Sequence, residues 1–164
     1  MNPMFLLDGM LGALARWLRI CGYDAEYVND ASDEELIRRA TAEGRILLTR
    51  DRLLYRKAVK AGAEALLVEE GTDAEKLASV SRRFDLVLDP ERSRCPRCDA
   101  PLEVVDREGV RGKVPPRSLE AYDRFWICRS CGKVYWRGSH WGKIVETVEE
   151  AARIASAGDA EHLL

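Results

Sequence analysis

Long apolar runs are missing from this 164-residue sequence, and so are internal repeats and low-complexity tracts. No stretch approaches the roughly 18 consecutive apolar residues that a membrane-spanning helix needs, which excludes that class of protein. Residues 1–8 are too short for a signal peptide and lack its basic region. We therefore expect a cytoplasmic protein with no membrane partner. In such a reducing compartment, closely spaced cysteines bind metal more often than they form disulfides.

The composition that remains suits a folded, globular chain. Hydrophobic residues make up 46% and charged residues 33%, which argues against intrinsic disorder. The length allows one ordinary domain, or a domain of about 90 residues with a smaller module. Residues 91–141 contain eleven Lys or Arg against seven Asp or Glu, a local charge of +4 within a chain of net charge −2. A basic module beside an acidic one is a weak indication of a polyanionic partner.

The first 89 residues alternate between short apolar runs and helical periodicity. The apolar runs predict strands at 4–7, 25–28, 46–48 and 65–68. Helices are predicted after each strand, and two of them start at capping boxes, Ser32 with Glu35 and Thr72 with Glu75. This βαβαβαβα order predicts an α/β fold with a parallel sheet that helices cover on both faces.

The pattern changes after Asp89 and Pro90, where the periodicity fades and cysteine pairs appear. We place the domain boundary there, with the α/β domain at 1–90 and a small cysteine-containing domain at 91–158. The small domain includes a last amphipathic helix that is predicted to start at about Trp141. Residues 159–164 are predicted to form a frayed tail.

Two cysteine pairs carry the strongest signal in the sequence. Cys95 and Cys98 form one pair, and Cys128 and Cys131 form the other, with Gly132 directly after it. Each pair puts two thiolates into one tight turn, and two turns supply the four sulfurs of a tetrahedral zinc site. The 29 intervening residues can form a hairpin that brings the turns together. Because no coordination position stays open, the predicted zinc is structural rather than catalytic.

Aromatic residues concentrate in the same small domain. Half of the chain's twelve lie there: Tyr122, Phe125, Trp126, Tyr135, Trp136 and Trp141. They are interleaved with four cations: Arg124, Arg129, Lys133 and Arg137. The aromatics either pack a mini-core or an interface, or they stack on bases while the cations contact phosphates. His140 is either a surface residue at a helix start or a side chain directed toward the site of the other domain.

Carboxylates follow two of the predicted strands. Asp8 ends the first strand, before Gly9, and Asp51 follows the third, while Asp33 and Glu34 open a helix. Sites in parallel sheets form past the carboxyl ends of strands, so Asp8 and Asp51 meet if their strands are neighbours. Converging carboxylates repel one another unless divalent cations neutralise them, and hard oxygen ligands suit Mg²⁺ or Mn²⁺. Such a site can activate water for phosphodiester hydrolysis.

Three of these four acids also have a simpler structural interpretation. Asp33 and Glu34 lie where acids complement a helix dipole, and Asp51 can serve as an N-cap. Asp8 is harder to explain in this way, because a charge at the end of a buried strand needs a partner.

These segments together resemble a known family. Residues 5–12 (FLLDGMLG), 14–18 (LARWL), 32–36 (SDEEL) and 47–51 (LLTRD) are similar to a PIN-type nuclease domain. With the cysteine pairs and the segment YWRGSHW at 135–141, the chain resembles the Mut-seven C-terminal RNase family over about residues 4–150. The resemblance implies a PIN-like three-layer domain with a parallel sheet, followed by a small zinc ribbon and a C-terminal helix.

The resemblance also implies a Mg²⁺- or Mn²⁺-dependent ribonuclease that acts on RNA. Asp8, Asp33 and Asp51 match the acidic positions of the motif. The fourth position, an acid or an amide, has three candidates: Glu34, Asp30 and Glu69. Two other functions stay open, which are a catalytically inactive RNA- or protein-binding module and a phosphotransfer or receiver-like domain. The lysine that a receiver-like site uses near a later strand is not evident.

Overall fold

The computed structural model of the protein describes residues 2–163, with side chains as far as residue 157. Its α/β domain contains a parallel sheet with the strand order β2-β1-β3-β4. The strands are β1 (Phe5–Leu7), β2 (Ala25–Tyr27), β3 (Ile46–Thr49) and β4 (Ala65–Leu67). The helices that follow them are α1 (Gly12–Ile20), α2 (Asp33–Glu43), α3 (Arg52–Lys60) and α4 (Asp73–Phe84). The predicted βαβαβαβα order is confirmed.

The sheet is buried on both faces, because successive side chains of each strand enter two different cores. Phe5 and Leu7 of β1 lie in a core that α1 and α4 cover. Leu6, between them, lies in a second core that α2 and α3 cover on the other face. The result is a helix layer, a sheet layer and a second helix layer. The predicted three-layer architecture is therefore confirmed.

A long C-terminal helix, α7 (Trp141–Leu163), starts where the sequence predicts it. It packs against α4 and adds Val148 and Ala151 to the core beneath α1 and α4. Neither α7 nor any other helix in the described residues is long and apolar enough to cross a membrane. Part of the predicted frayed tail (159–164) lies outside the described residues, namely its side chains and Leu164.

Capping side chains explain where two of the helices start. Thr72 and Glu75 form the predicted capping box at α4, with both reciprocal hydrogen bonds. At α2, Ser32 Oγ accepts a hydrogen bond from Glu35 N at 3.1 Å. The Glu35 carboxylate pairs with Arg38 instead of returning to the N-cap. The prediction of a complete box at α2 was therefore wrong, because a cation one turn further on attracts the carboxylate.

The cysteine-containing segment forms an antiparallel sheet of its own, with the order β5-β6-β7. A 3-10 turn (Pro90–Arg92) leads into it from the α/β domain. The elements of this zinc ribbon are β5 (Leu102–Val105), α5 (Arg107–Val110), α6 (Pro116–Ala121), β6 (Phe125–Cys128) and β7 (Val134–Tyr135). Phe125 is fully buried in a mini-core, against which Tyr122 and Trp136 pack. For these aromatics, the packing interpretation is confirmed.

Candidate active site and zinc centre

The four cysteines of the ribbon lie close together. Cys95 Sγ is 3.7 Å from Cys131 Sγ, and Cys98 Sγ is 3.3 Å from Cys128 Sγ. All four sulfurs lie within 4.8 Å of one another. A tetrahedral zinc with bonds of about 2.3 Å has sulfurs about 3.8 Å apart, so this cluster fits the ion.

Each cysteine pair closes with the same backbone turn. Asp99 N donates to Cys95 O, and Gly132 N donates to Cys128 O, both at 2.8 Å. Asp99 and Gly132 each follow a pair, and their φ angles are 73° and 79°. Left-handed backbone of this kind suits glycine, which was the sequence signal at 132, and is tolerated by aspartate. The two turns are therefore equivalent knuckles around one centre.

Neighbouring donors support the thiolate form of Cys95, one of the four cysteines. Burial raises the pKa of the Cys95 thiol. Hydrogen bonds from Tyr135 and from backbone N–H groups oppose this effect and lower the pKa to about 7. Since zinc binds the thiolate and not the thiol, these donors favour metal binding near neutral pH.

The first knuckle is fixed to the α/β domain by Arg19 and Asp99. Arg19 is buried at the end of α1, and its guanidinium donates to Ala25 O at 2.8 Å and to Pro96 O at 3.0 Å. Asp99 accepts from Ala25 N at 3.1 Å and from Arg94 Nε at 3.2 Å. Two of these hydrogen bonds are made to the backbone N–H and C=O groups of Ala25 on the open edge of β2, and together the bonds hold the ribbon against α1.

Two of the predicted acids lie at the carboxyl edge of the parallel sheet. Strands β1 and β3 are neighbours, with Leu7 opposite Leu48, so Asp8 and Asp51 follow adjacent strands. Helix α1 leaves β1 toward one face and α3 leaves β3 toward the other, which opens a crevice between them. Thr49, fully buried, joins the two acids. Its Oγ1 donates to Asp8 Oδ2 and accepts from Asp51 N, both at 2.9 Å.

Of the two oxygens of the Asp8 carboxylate, one has a hydrogen-bond partner among the described residues. Its Oδ2 accepts from Thr49, but its Oδ1 is buried without a hydrogen-bond partner in the described part of the chain. Burial raises the pKa of Asp8 above its ordinary value, the Thr49 hydrogen bond opposes this, and the charges of Asp51 and Asp33 raise it further. A buried acceptor costs free energy unless a donor or a cation reaches it. The orphaned oxygen and the flanking acids fit a divalent cation with oxygen ligands.

A lysine lies among the remaining acids. Lys57 Nζ is 3.1 Å from Asp33 Oδ2, at the start of α2. This hydrogen bond raises the pKa of Lys57, and the negative charges of Glu34 and Asp51 contribute in the same direction. Lys57 thus partly neutralises the carboxyl edge. Among the described residues, the four cysteines are the one group of three or more potential ligands whose ligand atoms all lie within 4.8 Å of one another. The carboxylate oxygens of Asp8, Asp33 and Asp51 therefore do not form such a group.

Asp51 has the capping role that its position also predicted. Its Oδ1 accepts from Leu53 N at 2.9 Å and from Leu54 N at 3.2 Å, which makes it the N-cap of α3. Capping occupies one carboxylate oxygen and leaves Oδ2 for another ligand. The capping bonds also fix the direction of the carboxylate.

Two of the basic residues predicted to contact nucleic acid are paired with acids. Arg129 Nε lies 2.9 Å from a carboxylate oxygen of Glu103. Arg137 pairs with Glu91, and its guanidinium lies over the ring of Trp141, 4.6 Å from the ring centroid. Both cations therefore have partners within the protein.

The other candidates are more accessible. Arg124 is exposed, and its guanidinium lies 5.6 Å from the ring centroid of Trp126. Lys133 is exposed on the second knuckle, and its Nζ lies 6.0 Å from the ring centroid of Tyr135. His140 is exposed directly before α7.

Sequence reasoning missed two polar residues at the carboxyl edge. Thr49 could have been found, because a hydroxyl at the end of a strand that is otherwise apolar needs a partner. Asn29 follows β2 and carried no such signal. A Cβ atom on Gly9 would lie only 3.1 Å from Asn29 Oδ1, so the glycine lets this amide approach the loop after Asp8.

Comparison with known families agrees with this architecture. The model of the Mut7-C RNAse domain matches residues 3–148, which include the parallel sheet, the ribbon and the start of α7. Comparison with curated proteins and with solved structures gives no significant match. The match covers most of the sequence and confirms the family that the motifs resembled. The chain therefore belongs to the Mut7-C RNAse domain family.

Proposed function

We propose that the protein is a metal-dependent ribonuclease that hydrolyses RNA phosphodiester bonds at the carboxyl edge of its parallel sheet. Family membership supports the nuclease activity and RNA as the substrate. The metal dependence rests on Asp8 Oδ1, a buried oxygen without a partner in the described residues, in the field of Asp51 and Asp33. A divalent cation would satisfy this oxygen and offset the repulsion between the acids.

In this proposal, Asp8, Asp33 and Asp51 would hold Mg²⁺ or Mn²⁺, and Glu34, which directly follows Asp33 in α2, is a candidate for a fourth ligand. A bound divalent cation supplies an activated water and stabilises the charge that develops on phosphate oxygens. Thr49 keeps the Asp8 carboxylate in one orientation and ties it to the backbone of Asp51. These contacts preorganise the ligands before any cation arrives.

We further propose that Cys95, Cys98, Cys128 and Cys131 hold one structural zinc. The compact sulfur cluster supports this role, and the ribbon has only a small core without it. Its exposed cations Arg124 and Lys133 are suited to contact RNA, and His140 is exposed as well. Arg129 and Arg137 are weaker candidates, because each is paired with an acid.

The cleavage assay uses labelled single-stranded RNA and protein that was desalted without chelator, with and without added Mn²⁺ or Mg²⁺. We expect cation-dependent cleavage that falls by orders of magnitude in Asp8→Asn and Asp51→Asn. Asp123→Asn is the matched control, since this exposed acid of the ribbon lies outside the proposed site. Cleavage that persists without divalent cation, or undiminished in Asp8→Asn, would refute the proposal.

The pairing of Asp33 with Lys57 favours a second candidate function, an inactive RNA-binding module. A lysine in place of a cation can neutralise the acids permanently. RNA binding without cleavage at any concentration of Mn²⁺ or Mg²⁺ would support this alternative.

A further inference from the structure

A basic groove lies between the α/β domain and the zinc ribbon. It has a volume of about 540 Å³ and is lined by α1, β2 and both cysteine knuckles. Three exposed cations line it from three different segments: Arg16 on α1, Arg97 on the first knuckle and Lys133 on the second. Of these three cations, the sequence analysis singled out Lys133 alone, because Arg16 and Arg97 lie outside the interleaved aromatic and basic segment 122–141.

These three cations have no carboxylate partner among the described residues, in contrast to Arg129 and Arg137 of the same ribbon. Three like charges that line one groove repel one another, so the groove carries a positive potential that an anion can reduce.

The floor of the groove fixes the spacing of these cations. Arg19 lies beneath them and donates to Pro96 O and Ala25 O, which joins α1, the first knuckle and β2. Because of this anchor, α1 and the first knuckle present their cations in a fixed relation. A preorganised arrangement loses less entropy when it binds a ligand.

One end of the groove reaches the carboxyl edge of the sheet. Gly12 begins α1 and lines the groove, and Leu11 N lies 3.4 Å from Asp8 O in the turn that connects them. Tyr27, which also lines the groove, is in register with Leu7 at the end of β1. The first turn of α1 contains no acid, so its N–H groups add to the positive potential.

We infer that this groove binds the phosphate backbone of single-stranded RNA and leads it from the zinc knuckles to Asp8. The unpaired cations match a polyanion, and the rings of Tyr27 and Tyr135 in the groove suit unstacked bases. The inference rests on the proposed function only for the destination of the strand at Asp8. The binding itself requires no cleavage.

The test compares two triple variants of the full-length protein. Arg16→Ala, Arg97→Ala and Lys133→Ala together remove the groove cations. Arg56→Ala, Lys60→Ala and Lys143→Ala form the control, because they remove the same charge from three exposed cations outside the groove. Binding of a fluorescent single-stranded RNA is followed by anisotropy without divalent cations at several salt concentrations. Zinc content and melting temperature are measured for both variants to show that they are folded.

We expect the groove variant to lose at least tenfold in affinity and the control to lose much less. The slope of log K against log salt should fall by about 2 in the groove variant, since each phosphate contact on a single strand contributes about 0.7. With Mn²⁺, the groove variant should show a raised KM for RNA cleavage at an unchanged kcat.

Equal losses in the two variants, or no RNA binding by the unmodified protein, would overturn the groove assignment. An acidic peptide that binds the groove as tightly as RNA does would overturn the choice of RNA. The nuclease proposal is judged separately, by cleavage. If RNA binding depends on the groove cations but no cleavage occurs, the groove inference stands and the nuclease proposal fails. If RNA is cleaved but its binding does not depend on the groove cations, the nuclease proposal stands and the groove inference fails.

Discussion

Replacing Asp8 by asparagine removes a charge from the carboxyl edge and keeps an oxygen that can accept from Thr49. Without divalent cations, we expect this variant to be more stable than the unmodified protein. Asp8 Oδ1 is buried without a partner in the described residues, and Asp51 and Asp33 repel its charge. An unsatisfied buried polar group costs about 1–3 kcal/mol of stability. Because the asparagine amide still leaves one of its polar groups without a good partner, we expect the free energy of unfolding to rise by an amount near the lower limit. A gain of about 1 kcal/mol raises the melting temperature by about 2–4 °C in a chain of this size.

The pH dependence of this difference has a definite sign. The pKa of Asp8 is raised above its ordinary value of 3.8 in the folded protein, mainly by burial. The folded state therefore binds this proton more tightly than the unfolded state does, and the ionised carboxylate destabilises the fold at higher pH. The advantage of Asp8→Asn should be largest at neutral pH. It should shrink as the pH falls through the raised pKa toward 3.8, below which both states are protonated.

Mn²⁺ should reverse the order of stability. A ligand at one hundred times its Kd stabilises the folded state by about 2.7 kcal/mol, which is a rise of about 5–10 °C here. We expect this rise in the unmodified protein and in Asp123→Asn, and little of it in Asp8→Asn. Differential scanning calorimetry at pH 7, 5 and 4, with and without Mn²⁺, measures all of these effects. A variant that is less stable without cation, or that responds equally to Mn²⁺, would show that Asp8 is a structural residue.

Three further outcomes follow from single contacts. Cys128→Ser should lose the zinc and unfold the ribbon while the α/β core persists. Metal analysis should find about one zinc per chain in the unmodified protein, and zinc retained by the variant would contradict this prediction. Thr49→Val should lower stability by about 1–3 kcal/mol in chemical denaturation, because it leaves buried polar groups unpaired, Asp8 among them; an unchanged midpoint would contradict it. Lys57→Met should free Asp33 and tighten Mn²⁺ binding in calorimetric titration, and weaker binding would show that the lysine supports the site.

The elements of the α/β domain were predictable because their signals are local. Apolar runs located all four strands, and side-chain caps such as Thr72 located helix starts. The two cysteine pairs were equally accessible, since metal ligation fixes their spacing. The adjacency of Asp8 and Asp51 was different. It required β1 and β3 to be neighbours in the sheet. Strand order depends on contacts between distant segments, so the sequence alone predicts that the two acids meet only on the condition that their strands are adjacent.

The contacts that connect distant segments could not be predicted. Arg19 and Pro96 are 77 residues apart, and no periodicity indicates that a helix end will anchor a zinc knuckle. Lys57 and Asp33 are 24 residues apart on separate helices. Local composition showed the cations of the ribbon but not which of them had partners. Lys133 has no carboxylate partner in the described part of the chain and can contact an anion, whereas Arg129 is paired with Glu103.

The return of α7 to the core beneath α4 makes the ribbon an insertion whose two ends are held by one folded body. If the ribbon unfolds, about 50 residues between Pro90 and α7 become a closed loop rather than a free tail. The free-energy cost of closing such a loop grows only as the logarithm of its length, and for a loop of about 50 residues it is about 3–4 kcal/mol. That cost lies below the 5–15 kcal/mol that stabilises a typical domain. The α/β domain is therefore expected to keep its fold if the proposed zinc is lost and bound again, with the unfolded segment tethered at both ends beside the open edge of β2.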